Sequence, residues 1–183
     1  RQHHPDILTI CDAKRSDIGN TSKAYADAIF EEIGFDSVTL NPYLGRDALM
    51  PFLAYEDKAC IILCRTSNNG SGEFQNLQID GTPLWQVVAQ HVANEWNTSN
   101  NCMLVVGATY PDEIAQVRDT VGDMTLLVPG IGAQGGDLAS VMNAGLNSEN
   151  KGLIINSSRG IIFSDDPAQS AQTLRDSINQ FRA

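Results

Sequence analysis

Six short apolar segments alternate with helical patterns along this chain, and this alternation constrains the fold more than any other feature. The segments are too short for helices and are rich in Val, Ile and Leu at consecutive positions; they cover 7–11, 37–40, 59–64, 102–107, 125–128 and 153–156. Strands of a parallel sheet that is covered on both faces have this pattern. The sequence therefore predicts six βα units in an α/β fold.

The segments between the strands carry the spacing and end signals of helices. Thr82 is predicted to cap a helix with Pro83 at its first position, and Pro111 to open another. His91 falls on the apolar side of its helix, so we predict a core or rim residue and not a ligand. The other helical patterns cover 21–33, 46–55, 137–144 and 167–182.

Two architectures accommodate consecutive βα units: a doubly wound sheet and a (β/α)8 barrel. No G-x-G-x-x-G follows the first strand, so the main signal for dinucleotide binding is missing. A barrel typically needs about 250 residues, and the chain has 183. The difference corresponds to roughly two βα units of ~30 residues. Because a strand begins within a few residues of Arg1, we expect the missing units at the N-terminus.

Composition narrows the class of protein. With 22 acidic and 12 basic residues, the net charge of −10 argues against nucleic acid as a partner. No apolar run approaches the length of a membrane span. His3, His4 and His91 are too few and too scattered for a zinc site. The four cysteines form no CxxC pair and fall in predicted strands, which favours reduced core cysteines and a cytoplasmic location.

Function in parallel α/β folds is placed at the carboxyl ends of the strands. Asp12 and Lys14 are two residues apart at the end of the first strand, so alternation puts both side chains on one face, and Asp17 follows. An ammonium held between carboxylates stays protonated. This suits a proton donor or a cation that stabilises a carbanion, and not a Schiff-base nucleophile. The alternative interpretation is a set of ordinary surface salt bridges.

A second polar region follows the last two strands. The glycines within 130–136 allow backbone N–H groups to approach an anion closely. Arg159, at the end of the next strand, adds a guanidinium suited to phosphate oxygens. Barrel enzymes commonly bind phosphate with the loops after their last two strands. The two loops together predict a phosphate site.

Several motifs resemble those of one known family. Asp12-x-Lys14-x-x-Asp17-Ile18-x-x-Thr21 resembles the D-x-K-x-x-D-I-x-x-T signature of the orotidine 5′-monophosphate decarboxylases. Residues 129–137 resemble the phosphate-gripping loop of that family, and 158–159 its phosphate-binding strand end. Segments 41–45 and 65–68 look like the bacterial branch that carries D-A-K-R-x-D-I-G.

The resemblance implies a fold and a reaction. The fold is a TIM-type (β/α)8 barrel of which strands 3–8 are present, so that 1–183 form a single, N-terminally incomplete barrel domain. The reaction is decarboxylation of orotidine 5′-monophosphate to uridine 5′-monophosphate (UMP) and CO2 in pyrimidine biosynthesis, without a metal or organic cofactor. We expect the 183 residues alone, without the first two strands, to be inactive.

The resemblance also assigns catalytic roles. Lys14 stabilises and protonates the carbanion at pyrimidine C6, and Asp12 holds Lys14. Asp17, Ile18 and Thr21 reach the site from the neighbouring subunit, which implies a homodimer with shared active sites.

Substrate-binding roles follow from the same resemblance. Thr66 or Ser67 contacts the pyrimidine amide edge, and the loop alone does not decide between them. The net charge of −10 does not contradict such a pocket, since Lys14, Arg65 and Arg159 can make it locally positive. The expected substrate-binding residues of the two phosphate loops are Pro129, Gly132, Gln134, Gly135, Ser158 and Arg159.

Two rival functions remain open from the sequence. One is a Mg-dependent phosphosugar decarboxylase of the 3-keto-gulonate-phosphate type, which shares D-x-K-x-x-D. The other is a non-catalytic, nucleotide-binding barrel remnant. Ile18 and the loop at 130–136 favour the orotidine interpretation over the phosphosugar enzyme. The presence together of Asp12, Lys14, Asp17, Gln134 and Arg159 argues against a non-catalytic remnant.

Overall fold

Six strands join in one sheet, and their order in the sheet is their order in the chain. The computed structural model describes residues 4–132 and 136–182. The sheet contains β1 (Ile10–Arg15), β2 (Ser37–Leu40), β3 (Ala59–Arg65), β6 (Cys102–Val106), β7 (Leu126–Pro129) and β8 (Leu153–Asn156). A separate two-stranded hairpin consists of β4 (Gln78–Ile79) and β5 (Thr82–Pro83).

The pairings are parallel, so the carboxyl ends of paired strands share one edge. Pairs β1–β2, β2–β3 and β7–β8 are parallel, and the register of β1 on β2 shifts between Cys11 and Arg15. At the start of β3, Cys60 N–H donates to Asn101 O at 2.8 Å. At its end, Gly107 N–H donates to Arg65 O at 2.8 Å. Strands β3 and β6 therefore run in the same direction.

Helices separate the strands, as the sequence predicts. They are α1 (Gly19–Asp27), α2 (Arg46–Leu53), α3 (Gly72–Gln75), α4 (Leu84–His91), α5 (Pro111–Val121), α6 (Leu138–Gly145), α7 (Arg159–Ile162) and α8 (Pro167–Asn179). Asp137 caps α6 by accepting from Ser140 N–H at 2.8 Å, and Pro111 occupies the first turn of α5. Segments Ala28–Glu32 and Val92–Trp96 extend α1 and α4 as π-helix.

Two sequence expectations are corrected, and a third is narrowed. The first strand was predicted at 7–11 and lies at Ile10–Arg15, because polar residues there continue the pairing with β2. Thr82 and Pro83 were predicted to begin a helix, but they pair antiparallel with the strand before them, and the helix starts at Leu84. His91, predicted at the core or the rim, is exposed, and its ring nitrogen lies 2.7 Å from Glu95, which excludes the core position and leaves the rim.

The chain divides into two compact units. The first unit comprises Arg1–Leu63 and His91–Leu104. Its core is formed by apolar side chains of the strands and of α2, with Leu40, Ile61 and Phe52 fully buried. The rings of Phe30 and Phe52 meet edge to face at 6.2 Å. Burial on both faces explains why these strands are apolar at consecutive positions.

The second unit comprises Cys64–Gln90 and Val105–Ala183. Its core places Ile114 of α5 against α6, whose Gly145 has little room for a side chain: an added Cβ would lie 3.0 Å from Ile114. Arg118 of α5 links the end of α6 to the segment before β8. It donates to the carbonyls of Gly145 and Gly152 at 2.9 and 3.1 Å. No helix of the described residues is long and apolar enough to span a membrane.

Candidate active site

Asp12 and Lys14 form an ion pair within β1. The Lys14 ammonium donates to Asp12 Oδ1 at 2.6 Å. Thr39 of β2 donates its hydroxyl to the same oxygen at 2.9 Å. Both members of the pair are more than half exposed, at 51% and 64% of the side chain. An exposed ion pair contributes little to the stability of the protein. The importance of this pair is functional, because Asp12 restricts the position of the Lys14 ammonium.

The hydrogen bonds keep the Asp12 carboxylate ionised. Partial burial raises the pKa of the Asp12 carboxyl, but hydrogen bonds from Lys14 and Thr39, with the Lys14 charge, outweigh burial and bring this pKa below its ordinary value of 3.8. Asp12 is therefore an anion near neutral pH. It can fix the lysine ammonium, and it cannot act as an acid.

The backbone at Lys14 adopts a conformation that the sequence did not predict. Its φ is +50°, in the left-handed region that residues with a side chain rarely enter. The Lys14 N–H donates to Thr39 Oγ1 at 2.9 Å, which anchors this conformation. The pairing with Asp12 was predicted from simple alternation along a strand, whereas the structure reaches it through an irregular register. Strained backbone of this kind is concentrated at functional sites.

Asp17 is not joined to Lys14 in the part of the chain that the structure describes. Its carboxylate accepts from the Ile18 N–H at 2.8 Å. Ile18 precedes α1 and is 64% exposed, and Thr21 is exposed within α1. The structure thus brings Asp12 and Lys14 together, and in the first unit it leaves Ile18 and Thr21 exposed and Asp17 half-buried.

In the second unit, Arg65 is buried at the end of β3 and is neutralised. Its exposed fraction is 2%. Nε donates to Glu113 Oε2 at 2.5 Å, and the guanidinium carbon lies 4.2 Å from the centre of the Tyr110 ring. The expectation that Arg65 makes the pocket locally positive is therefore wrong. A buried guanidinium needs a counterion, and Glu113 supplies one.

Thr66 is tightly bonded to its surroundings. Its N–H donates to Gln75 Oε1 at 2.9 Å, and its hydroxyl accepts from Gln75 Nε2 at 2.9 Å. The same hydroxyl donates to Asn68 Oδ1 at 2.7 Å. Ser67 packs against Gly107, where an added Cβ would lie 2.7 Å from Ser67 Cβ. Hydrogen bonds to Gln75 and Asn68 thus fix Thr66, and Gly107 lies in close contact with Ser67.

The predicted phosphate loops are only partly described. Pro129 ends β7, and Gly130 and Gly132 have φ of +104° and +73°, which favours glycine. Gly132 N–H donates to Gly136 O at 3.1 Å, which closes the loop. Gln134 and Gly135 lie outside the described residues.

The second phosphate segment lies at the end of β8. Ser158 donates its hydroxyl to Asn156 Oδ1 at 3.1 Å. Arg159 is exposed and is the first residue of α7. The structure therefore leaves Arg159 accessible to a ligand, whereas it buries Arg65.

Sequence reasoning missed four residues of these clusters. Glu113 falls just after Pro111, where a helix was predicted to begin, and Thr39, Gln75 and Tyr110 carried no motif. One signal was present: an arginine in an otherwise apolar strand needs a buried carboxylate partner. Within 4–132 and 136–182, no three His, Cys, Asp or Glu side chains are grouped to hold a metal ion.

Comparison with known proteins identifies relatives over nearly the whole chain. A curated orotidine 5′-phosphate decarboxylase of Janthinobacterium sp. (strain Marseille) is 50% identical over 190 residues, which cover 100% of this chain and 70% of that protein. The enzyme of the same name from Azoarcus sp. (strain BH72) is 51% identical over 187 residues, which cover 98% and 69%.

Solved structures of two proteins from Leishmania donovani also match this chain. The Leishmania donovani OMP decarboxylase matches with a TM-score of 0.92 and 41% identity over 96% of this chain and 69% of that one. The Leishmania donovani UMP synthase matches with a TM-score of 0.94 and 43% identity over 96% of this chain and 40% of that one. The predicted fold class, a TIM-type α/β barrel with six βα units in this chain, is confirmed. The model of the orotidine 5′-phosphate decarboxylase / HUMPS family matches residues 1–174, and the chain belongs to this family.

Proposed function

We propose that the protein decarboxylates orotidine 5′-monophosphate to UMP and CO2, a step of pyrimidine biosynthesis. The observation that carries the proposal is the Lys14 ammonium held 2.6 Å from Asp12 Oδ1, within residues that match the family signature. The relatives at about half identity bear the name of this decarboxylase, and this favours it over the phosphosugar enzymes included in the same family.

The chemistry follows from a fixed cation. When the bond between C6 and the carboxylate breaks, CO2 leaves and the electron pair stays on C6. An ammonium held beside C6 stabilises this carbanion most effectively where water is excluded. Lys14 then transfers a proton from Nζ to C6, and solvent reprotonates the amine. The reaction is redox-neutral, so this step requires no electron carrier.

We assign the phosphate to the loops after β7 and β8. Pro129, Gly132, Ser158 and Arg159 are the described residues in this role, and Gln134 and Gly135 complete the prediction. Arg159 is exposed and offers a guanidinium with several donors. Binding energy at the distant phosphate can be used to order the reacting end of the substrate.

The proposed assembly is a homodimer in which Asp17, Ile18 and Thr21 complete the partner's site. Two observations support it: Asp17 bonds the Ile18 N–H and not Lys14, and Ile18 is 64% exposed. An apolar side chain next to a signature carboxylate is well suited to an interface between two copies.

Complementation between variants tests the shared site. The Lys14→Ala and Asp17→Asn homodimers should both be inactive. After subunit exchange, a mixed dimer has one site with both native residues, so about a quarter of all sites recover, since half of the dimers are mixed. Activity that stays absent after verified exchange would contradict the sharing of Asp17.

The activity itself is tested by the loss of orotate absorbance from orotidine 5′-monophosphate in EDTA, with the protein expressed from its own gene. We expect turnover. Activity that appears only on addition of Mg²⁺, or with a phosphosugar acid, would replace the proposal by the phosphosugar decarboxylase. Binding of UMP without turnover would replace it by the non-catalytic nucleotide-binding protein.

We further propose a cytoplasmic location. Cys11, Cys60, Cys64 and Cys102 are all unpaired thiols in the structure, and three of them are buried. This use of cysteine is typical of reducing compartments. Fractionation of cells, with detection of the protein by antibody, tests the location.

A further inference from the structure

The Arg65 guanidinium organises the loop that follows β3. Besides the ion pair with Glu113, Nη1 donates to Ser71 Oγ at 2.7 Å and to Gln75 Oε1 at 3.2 Å. It also lies 3.3 Å from the Thr66 carbonyl oxygen. One buried cation thus ties the start of the loop to its end. The fork geometry of arginine makes such a set of directed bonds possible.

Gln75 connects the Arg65 guanidinium to Thr66 through hydrogen bonds. Its amide oxygen accepts from both Arg65 Nη1 and the Thr66 N–H, while its amide nitrogen donates to the Thr66 hydroxyl at 2.9 Å. The two bonds to Thr66 fix one residue through its backbone and its side chain at once. One bond restrains the Arg65–Thr66 peptide through its N–H, and the other restrains the rotamer of the Thr66 side chain.

The role of Thr66 follows from these bonds. Its hydroxyl accepts from Gln75 and donates to Asn68 at 2.7 Å, and its N–H is used by Gln75. Since the hydroxyl proton and the N–H are both engaged, a substrate contact by Thr66 would require breaking the network. The next residue, Ser67, is held by the close approach of Gly107. Thr66 is therefore engaged in the internal hydrogen bonds of the loop, and Gln75 fixes the segment from which the predicted pyrimidine contact is made.

We propose that Gln75, anchored by the Arg65–Glu113 ion pair, is a positioning residue that fixes Thr66, and with it the start of the loop that carries Ser67, for contact with the pyrimidine ring. This inference rests on the proposed function. It assigns a role to Gln75, Arg65 and Glu113 for which the family signature gives no indication. It also predicts that loss of Gln75 affects the base end of the ligand and spares the phosphate end.

Two ligands distinguish an effect on the base end from an effect on the phosphate end. UMP carries the base, ribose and phosphate, whereas ribose 5-phosphate lacks the base. In the Gln75→Leu variant, which keeps the approximate size without hydrogen bonds, we expect the Kd for UMP to rise about tenfold. The Kd for ribose 5-phosphate should stay unchanged. For orotidine 5′-monophosphate, KM should rise more than kcat falls.

The matched control is Gln78→Leu. Gln78 is an exposed glutamine three residues further along the chain, at the start of β4, and its amide bonds only the Asn76 carbonyl at 3.1 Å among the described contacts. This variant should bind both ligands like the wild type. Gln75→Glu provides the conservative variant: its carboxylate still accepts from the Thr66 N–H, and the Thr66 hydroxyl can turn to donate to it. We expect UMP affinity between the wild type and Gln75→Leu.

The outcomes are distinguishable. Equal weakening of UMP and ribose 5-phosphate in Gln75→Leu would show a merely structural role and overturn the proposal, as would no change in either. If Gln75→Leu does not fold, the soluble Gln75→Glu variant decides by the same comparison. A wild type that neither binds UMP nor turns over orotidine 5′-monophosphate would overturn the proposed function together with this inference. A functional wild type with unaltered Gln75 variants would overturn this inference alone.

Discussion

The Thr39 hydroxyl donates a hydrogen bond of 2.9 Å to Oδ1 of Asp12. The same oxygen atom of Thr39 accepts the Lys14 N–H at 2.9 Å. Thr39 is 1% exposed, so neither bond is easily replaced by water. One buried hydroxyl on β2 therefore fixes both the orientation of the carboxylate and the unusual backbone of the lysine. This threonine belongs to no family signature, yet it connects the two signature residues.

Replacing Thr39 by Val should remove its hydrogen bonds to Asp12 and to the Lys14 N–H. The change keeps the shape and removes the hydroxyl, so the Lys14 N–H loses its acceptor and Asp12 loses a donor. We expect a destabilisation of about 1–3 kcal/mol and a fall in kcat, measured by urea unfolding and by the decarboxylase assay. Thr39→Ser, which restores the hydroxyl, should recover most of both. A valine variant with unchanged kcat would contradict the positioning role of Thr39.

The Asp12 carboxylate should make stability depend on pH in the acid range. Its pKa in the folded protein lies below the ordinary value of 3.8. Its stabilising contribution is therefore complete above the unfolded pKa and is lost as pH falls through the folded pKa. Because the side chain is 64% exposed, the effect should be small.

Comparison with Asp12→Asn measures this effect. The asparagine does not titrate, so the difference in unfolding free energy between wild type and variant should shrink from about pH 6 to about pH 3. Urea unfolding at both pH values provides the measurement. A difference that grows toward acid pH would show that the carboxyl is destabilised as an anion, contrary to the hydrogen bonds described.

Gly107 should tolerate no side chain. A Cβ there would lie 2.7 Å from Ser67 Cβ and 3.0 Å from Ser67 N, so the backbone of the loop must move. We expect Gly107→Ala to raise KM for orotidine 5′-monophosphate several-fold. The control is Gly70→Ala, three residues after Ser67. There the atom nearest to the added Cβ would be 3.6 Å away. Equal KM values for the two variants would mean that Ser67 is not held by this contact.

Arg118 should stabilise the second unit through backbone carbonyls. It donates to Gly145 at 2.9 Å, to Met124 at 2.6 Å and to Gly152 at 3.1 Å. Arg118→Met keeps much of the packing and leaves these acceptors without a charged donor. We expect a loss of about 2–4 kcal/mol, measured by chemical denaturation. The exposed Arg175→Met is the control and should unfold like the wild type.

Much of the fold could be predicted because most of its strands carry apolar residues at consecutive positions. The strands at Ser37–Leu40 and Leu153–Asn156 lie where the apolar runs placed them. The first strand was misplaced because its C-terminal half is polar, and apolar pattern alone does not reveal such a strand. Pro83 was misassigned because a proline after a threonine is equally compatible with a helix start and with a short strand.

The site was predictable only as far as its motifs extend. Asp12 and Lys14 were identified by their spacing, and the structure pairs them. Gln75 and Glu113 could not be found, because they are 10 and 48 residues from Arg65 in sequence and meet it only through tertiary packing. Arg65 was misjudged for the same reason: its partner is distant in the chain.

Substitution of Lys14 tests the central claim most directly. Lys14→Met removes the ammonium beside Asp12, and Lys23→Met is the matched control, since Lys23 pairs with Asp27 at 2.5 Å in the same unit. The measurement is decarboxylation of orotidine 5′-monophosphate in EDTA, with inorganic phosphate binding measured alongside. We predict that Lys14→Met loses turnover and retains phosphate binding, whereas Lys23→Met keeps both. Wild-type turnover in Lys14→Met, or equal loss in the two variants, would contradict the assigned role of Lys14.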